Sequence, residues 1–289
     1  MIVILGGSGF VGTAFQRFLK QSGQEFAVVS RRDINYGDPE ELIAYLNRQS
    51  VSFLINAAGY TGRPNVDACE LHKAECLSGN AVLPGIIREA CEHADIPWGH
   101  VSSGCIYTGT RPDGNGFTEQ DAPNFDFRHN NCSFYSGCKS LGEEVLQGAR
   151  RCYIWRLRIP FDELDSPRNY ISKMIRYDRL LNATNSLSHL GEFVAACMAC
   201  WTKGVEYGTY NLTNPGFVTT KDVVALIQKH GLSDREFRFF DSEDEFMRQA
   251  ATTPRSNCVL DCSKAIAAGL PLSPVQEALE KSMRHWVTG

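Results

Sequence analysis

The sequence predicts an α/β protein: a doubly wound parallel sheet with a smaller C-terminal lobe. Three observations lead there. The chain opens on the apolar run Ile2-Val3-Ile4-Leu5, stops at Gly6-Gly7-Ser8-Gly9-Phe10-Val11-Gly12, and resumes with helical spacing through Phe15, Phe18 and Leu19. Short apolar runs then alternate with amphipathic stretches across brief connections, the pattern of βαβ units. Finally, 289 residues with 43% apolar and 21% charged content suffice for a large core and a soluble surface.

Strand, glycine turn and helix in that order suit a dinucleotide. Gly6 permits the tight turn, Gly9 lets the backbone approach a pyrophosphate, and Gly12 lets the helix pack on the strand. The amides of Phe10 and Val11 at the helix start then face the phosphate. A second strand spans 25–30 and ends in Ser30-Arg31-Arg32-Asp33. The planar donor forks of Arg31 and Arg32 match a 2′-phosphate, which favours NADPH and leaves NADH open, because Asp33 follows. A helix is expected over 39–48, with Pro39 in its first turn, and a third strand over 52–55. That strand runs into Asn56-Ala57-Ala58-Gly59, whose small side chains let backbone lie against the cofactor. A helix over 81–93, with Asn80 near its start, leads to a strand over 96–101 and then to Ser102-Ser103-Gly104-Cys105. Residues 108–131 lack periodicity and read as a long loop, of the kind that is usually functional. A helix opens at Ser133, and another is expected near 169–177. The chain leaves the sheet after Pro160 and returns for a helix near 193–201 and a late strand near 208–213.

Composition removes several classes. A formal charge of -4 gives no reason for nucleic-acid or membrane binding. The sequence shows no apolar run of about 18 residues and no secretory leader, so a cytoplasmic protein is expected. The eleven cysteines read as reduced thiols, and neither Cys197-x-x-Cys200 nor Cys258 with Cys262 has the partners of a metal site.

Ser103 and Cys105 end a strand where an open α/β sheet binds ligands. Tyr135 and Lys139 are four apart, so on a helix they share a face. A tyrosine beside a lysine and an oxidised nicotinamide ring is drawn toward phenolate. It can pass a proton to a carbonyl oxygen while Ser103 bonds the same oxygen and hydride reaches the carbon. That is ketone reduction by NAD(P)H.

Together these features resemble the extended short-chain dehydrogenase/reductases, and the pattern is similar to the dTDP-4-dehydrorhamnose reductases. Further stretches match the bifunctional nucleotide-4-keto-6-deoxyglucose 3,5-epimerase/4-reductases. They are Asn56 to Asp67, Gly104 to Ile106, Gly116-Phe117, Pro123 to Phe125, Ser133 to Lys139, Arg156 to Pro160, Ser166 to Lys173, Asn211 to Gly216 and Pro254 to Asn257. The resemblance implies a Rossmann-type domain over 1–160, with 184–213 returning to it, and a substrate-binding lobe from 161–183 and 214–289. It implies that Lys139 orients the nicotinamide ribose, and that Cys105 and Lys173 are the epimerase pair, either of them the base. Arg63, Asn80, Arg168, Asn169 and Arg255 are then candidates for the nucleotide-sugar. Tyr60 and residues 126–132 depart from the family, so the substrate or its nucleotide can differ. A 4-keto-reductase without epimerase activity and a non-catalytic cofactor-binding regulatory subunit are the rival readings, and a homodimer is a possible assembly.

Overall fold

A computed structural model describes residues 1–288. Six parallel strands form the central sheet: β1 Ile2–Leu5, β2 Phe26–Val29, β3 Phe53–Asn56, β4 Trp98–Ser103, β5 Cys152–Leu157 and β6 Gly208–Asn211. Their order is β6-β5-β4-β3-β1-β2, so strand order reverses between β1 and β3. Ligands of such sheets bind at the carboxyl ends beside that reversal. Here those ends carry Gly6, Asn56 and Ser103.

Why these segments are strands is visible in their burial. All four residues of β1 and of β3 are buried, as expected where helices cover both faces. Alternate side chains feed two cores. Ile2 and Ile4 join Phe15, Phe53, Trp155 and Phe193 on one face, whereas Val3 and Leu5 join Leu42, Leu46, Ile87 and Trp98 on the other. Gly99 in β4 makes room for Trp155, because a Cβ there would lie 1.9 Å from the indole.

A third core, holding Phe161, Ile171, Leu187, Val223, Ile227 and Leu279, sits among the helices Tyr170–Arg176, Thr220–Lys229 and Val275–Arg284. Two-residue strands stitch this region together, Pro160–Phe161 beside Ser188–His189 among them. The chain returns to the sheet through the helix Leu190–Thr202 and β6.

The helix expected over 81–93 with Asn80 near its start is part of a longer helical run. Lys73–Leu77 is followed by a π turn over Ser78–Val82 and then by Leu83–His93. Proline explains the widened turn. Pro84 has no N–H, and its ring would strike the carbonyl four residues back, which belongs to Asn80. The Leu83 N–H accordingly bonds Ser78 O, five residues away. The displaced Asn80 carbonyl faces Gly142, where a Cβ would come within 2.2 Å of it. Asn80 thus lies inside the run.

The loop expected over 108–131 contains only isolated bridges, Gly109 to Cys258 and Phe117 to Leu260. Backbone bonds from Gly109 N to Asn257 O (2.7 Å) and Phe117 N to Val259 O (2.9 Å) pin it to the 257–261 segment. Among the described residues, no helix is long and apolar enough to cross a membrane.

Candidate active site

The glycine turn is shaped by contacts that exclude side chains. Gly6 has φ +74°, and a Cβ on it would lie 2.4 Å from Ala58 N; a Cβ on Gly12 would lie 2.2 Å from Gly6 O. The turn and the Ala57–Ala58 strand end are therefore packed backbone to backbone. Gly9 caps the helix Phe10–Gln21 with no side chain bonding its first amides. A helix start left open in this way can receive a phosphate. Arg31 and Arg32 are exposed at the end of β2 and take part in none of the ion pairs among the described residues. The Asp33 carboxylate turns back, accepting from Ser30 N (2.8 Å) and Ser30 Oγ (2.7 Å). Those bonds hold its pKa below the usual carboxylate value. The residues present thus fit a dinucleotide with a 2′-phosphate.

Asn56 supports this cradle without lining it. It is fully buried; its Nδ2 donates to His100 Nδ1 (2.9 Å), and its Oδ1 accepts from Ala58 N (3.1 Å). Both side-chain polar atoms of this expected cofactor contact are thus engaged within the protein. Asn56 fixes the course of the Ala57–Ala58 backbone instead.

β4 delivers Ser103 to its carboxyl end, and the chain then coils into a single 3-10 turn, Gly104–Ile106. Ser103 caps that turn, its Oγ accepting from Cys105 N at 3.2 Å. Hydroxyl and thiol are thereby held together. Tyr135 lies in the first turn of the helix Phe134–Glu144, whose cap is Ser133, with Oγ accepting from Ser136 N at 3.2 Å. Such a cap is worth about 1 kcal/mol and fixes where the helix starts. The buried face of this helix is made of Ser136, Gly137, Cys138, Lys139, Ser140 and Gly142. Its small residues allow close approach to the Asn80 turn. The Tyr135 ring packs between two clusters, one containing Cys105, Ile106, Tyr107 and Cys258, the other Cys69, Cys76 and Cys138.

Lys139 is 4% exposed, and its ammonium donates to Val101 O at 3.0 Å. Burial pulls its pKa down. The protein's own groups act on Tyr135 in the sense opposite to the pull expected beside an oxidised nicotinamide ring. Burial, then the neighbouring Cys105, Cys69 and Cys76 thiols, hold the phenol well above its ordinary pKa, against a lowering bond with Ser103. Tyr135 is a proton carrier in this state. Burial likewise pushes the Cys105 thiol up, offset in part by Ser103, Lys139, Ser136 and Arg158.

Lys173 lies on the helix Tyr170–Arg176, half-buried, and its amine makes no hydrogen bond or ion pair among the described residues. Burial and then the Arg168 charge lower its pKa. Asn169, a candidate for the nucleotide-sugar, caps that helix. It is fully buried, its Nδ2 donating to Asp162 O, Asp162 Oδ1 and Leu164 O and its Oδ1 accepting from Ile171 N. Asn80, another candidate, is engaged in the same way. Its side chain spends its bonds on Tyr60 N, Tyr60 O and Cys76 Sγ, and it is 1% exposed.

The arginines expected at the substrate hold two parts of the chain together. Arg168 donates to Thr61 Oγ1 (3.1 Å) and Gly62 O (3.0 Å), and Arg255 forms a bidentate pair with Asp67, both bonds 2.7 Å. Arg63 stands exposed in the same 61–67 segment. Sequence reasoning missed the charges behind the site. Arg156 pairs with Glu143 at 2.6 Å, both nearly buried, and Glu143 also accepts from Ser102 Oγ. Arg158 is 5% exposed one residue past β5. The available signal was two arginines interrupting an otherwise apolar strand run, Cys152 to Phe161.

Among the described residues, no group of three or more His, Cys, Asp or Glu side chains is gathered to hold a metal, and all eleven cysteines are free. What the site does gather is one proton carrier, one hydroxyl and one thiol beside a dinucleotide cradle.

Residues 1–287 match the RmlD substrate binding domain family. The chain is 30% identical over 284 residues to the bifunctional dTDP-4-dehydrorhamnose 3,5-epimerase/dTDP-4-dehydrorhamnose reductase of Arabidopsis thaliana, covering 96% of this chain and 91% of that protein. The fold is shared with the UDP-rhamnose synthase of Acanthamoeba polyphaga mimivirus, with TM-score 0.90, 22% identity and 98% of each chain covered. It is shared as well with a Bacillus anthracis dTDP-4-dehydrorhamnose reductase solved in complex with NADP, with TM-score 0.81, 17% identity and coverage of 99% and 97%. The chain therefore belongs to the RmlD substrate binding domain family and is an oxidoreductase of the dTDP-4-dehydrorhamnose reductase type.

Proposed function

We propose that this protein takes a nucleotide-4-keto-6-deoxyhexose, inverts C3 and C5, and reduces the C4 ketone with NADPH at the same site. The product is a nucleotide-6-deoxy-L-hexose such as UDP- or dTDP-L-rhamnose. One observation carries the reading: Cys105 is bonded through its backbone to Ser103 and packs against Tyr135, so an acid/base thiol adjoins the ketone-reducing pair.

The C4 ketone acidifies the protons on C3 and C5. A base on one face and an acid on the other invert each centre through an enolate. Lys173, whose pKa is lowered, is the base; Cys105, whose pKa is raised, is the acid. The hydroxyls of Ser103 and Tyr135 donate to the enolate oxygen. When bound, NADPH supplies the hydride that arrives at C4. Tyr135 then gives its proton to the C4 oxygen, with Ser103 still bonded to it. Lys139 orients the nicotinamide ribose, and Gly6, Gly9, Phe10 and Val11 hold the pyrophosphate. Arg63, Arg168 and Arg255 bind the nucleotide diphosphate, the last two by exchanging their present partners.

Incubation with UDP- or dTDP-4-keto-6-deoxyglucose and NADPH in D2O, followed by NMR and nicotinamide absorbance, tests this. Deuterium at both C3 and C5 with cofactor oxidation is expected. Oxidation only after a separate epimerase is added, with no deuterium from this protein, leaves a reductase alone. Replacing Arg31 and Arg32 with Ala should weaken NADPH about 10- to 100-fold while moving NADH little, because the lost bonds are charge-assisted ones to the 2′-phosphate. Fluorescence titration of both cofactors reads this directly.

A further inference from the structure

One charge beside the site has no acid to answer it. Arg158 is 5% exposed; its Nη2 donates to Asn185 Oδ1 at 2.6 Å and to Ser256 O, and its Nε has no partner. None of the ion pairs among the described residues includes it. Both acceptors are neutral, and a buried cation held by neutral groups alone is costly. An arrangement of that cost suggests an anion that forms nearby.

The place where it forms is close. Leu157 lies level with Ser103 across the β4–β5 pairing, so Arg158 stands beside the Gly104–Ile106 turn. A Cβ built on Gly104 would be 3.4 Å from Arg158 Cδ, which puts the arginine stem against the turn that carries Cys105. The groups that bear on Cys105 are Ser103 from β4, Tyr135, Ser136 and Lys139 from the Phe134–Glu144 helix, Cys132 from the loop before it, Tyr107 and Cys258 from its own buried cluster, and Arg158, whose charge also reaches the Cys258 thiol. Two of them are cations. The Lys139 ammonium is already donating to Val101 O. Arg158 brings the other charge, a guanidinium bonded only to neutral acceptors.

We propose that Arg158 is a positioning residue for epimerisation, its fixed charge holding the thiolate that Cys105 becomes when it gives up its proton. This rests on the reading of Cys105 above as the acid. In that step the Lys173 amine takes a proton from the substrate carbon, leaving ammonium and enolate. The Cys105 S–H bond breaks, its proton forms the new C–H bond on the opposite face, and the electron pair stays on sulfur. Proton return from the ammonium or solvent restores the thiol. Nothing is oxidised or reduced.

The test is the pH dependence of Cys105 alkylation by iodoacetamide in the intact protein, followed by mass spectrometry of the Cys105 peptide and normalised to its high-pH plateau. Arg158→Met should raise the midpoint by a unit or more, which reads as an alkylation rate at pH 8 about tenfold lower. Arg158→Lys should restore most of it. Asn185→Asp places a carboxylate on the same guanidinium without removing its stem, and should raise the midpoint as Arg158→Met does, even if that variant fails to fold. An unchanged midpoint in Arg158→Met or Asn185→Asp overturns the proposal, and so does an equal rise in Arg158→Met and Arg158→Lys. No substrate enters this experiment. A wild-type protein that leaves no deuterium at C3 or C5 sinks the epimerase reading without deciding the midpoint.

Discussion

Tyr135→Phe lowers NADPH oxidation with the 4-keto sugar by about 10²- to 10⁴-fold, the range for losing a positioned general acid, and leaves NADPH binding within a few-fold of wild type. Ser133 fixes the start of the helix, so the ring sits in its first turn against Cys105 whether or not it carries a hydroxyl. Phenylalanine keeps that packing. What it loses is the one proton held near the ketone oxygen by burial, and neither Ser103 nor Lys139 replaces it, because Lys139 is committed to Val101 O. Single-turnover absorbance at saturating NADPH measures the loss, and cofactor titration shows that the cradle survives. A variant retaining more than about a tenth of wild-type turnover would move the acid elsewhere.

The second large effect separates base from acid. Lys173→Met should abolish deuterium uptake at C3 and C5, since nothing else near the substrate is assigned to remove those protons. Cys105→Ala should behave differently. The base still takes the proton and returns a deuteron on the face it came from, so label enters without inversion, and the recovered sugar keeps its original configuration. NMR coupling constants distinguish the two products. Uptake lost in Cys105→Ala and kept in Lys173→Met would exchange the roles.

The fold was legible because its signals are local. A glycine turn between an apolar run and a helical pattern is defined by neighbours in sequence, and the cradle built from Gly6, Gly12 and Ala58 follows from it. Ser103 with Cys105 and Tyr135 with Lys139 were legible for the same reason, each being a short-range spacing on one element. Less legible are the surroundings of residues whose partners lie far along the chain or whose own side chains are consumed locally. Asn56 bonds His100, Asn80 bonds Tyr60, and Asn169 bonds Asp162 and Leu164. The sequence around an asparagine carries no sign of the partners its amide takes in the fold. Arg168 and Arg255 show the reverse: their partners Thr61, Gly62 and Asp67 lie over a hundred residues away and no periodicity points to them.

The widened turn at Ser78–Val82 joins two choices that look unrelated in the sequence. Pro84 pushes the Asn80 carbonyl out of its own helix, and that oxygen comes to rest where residue 142 has only hydrogen to offer. Any larger residue at 142 would press on the helix that carries Tyr135 and Lys139. A proline and a glycine 58 positions apart thus meet in one contact, and the geometry of the helix that carries Tyr135 depends on both.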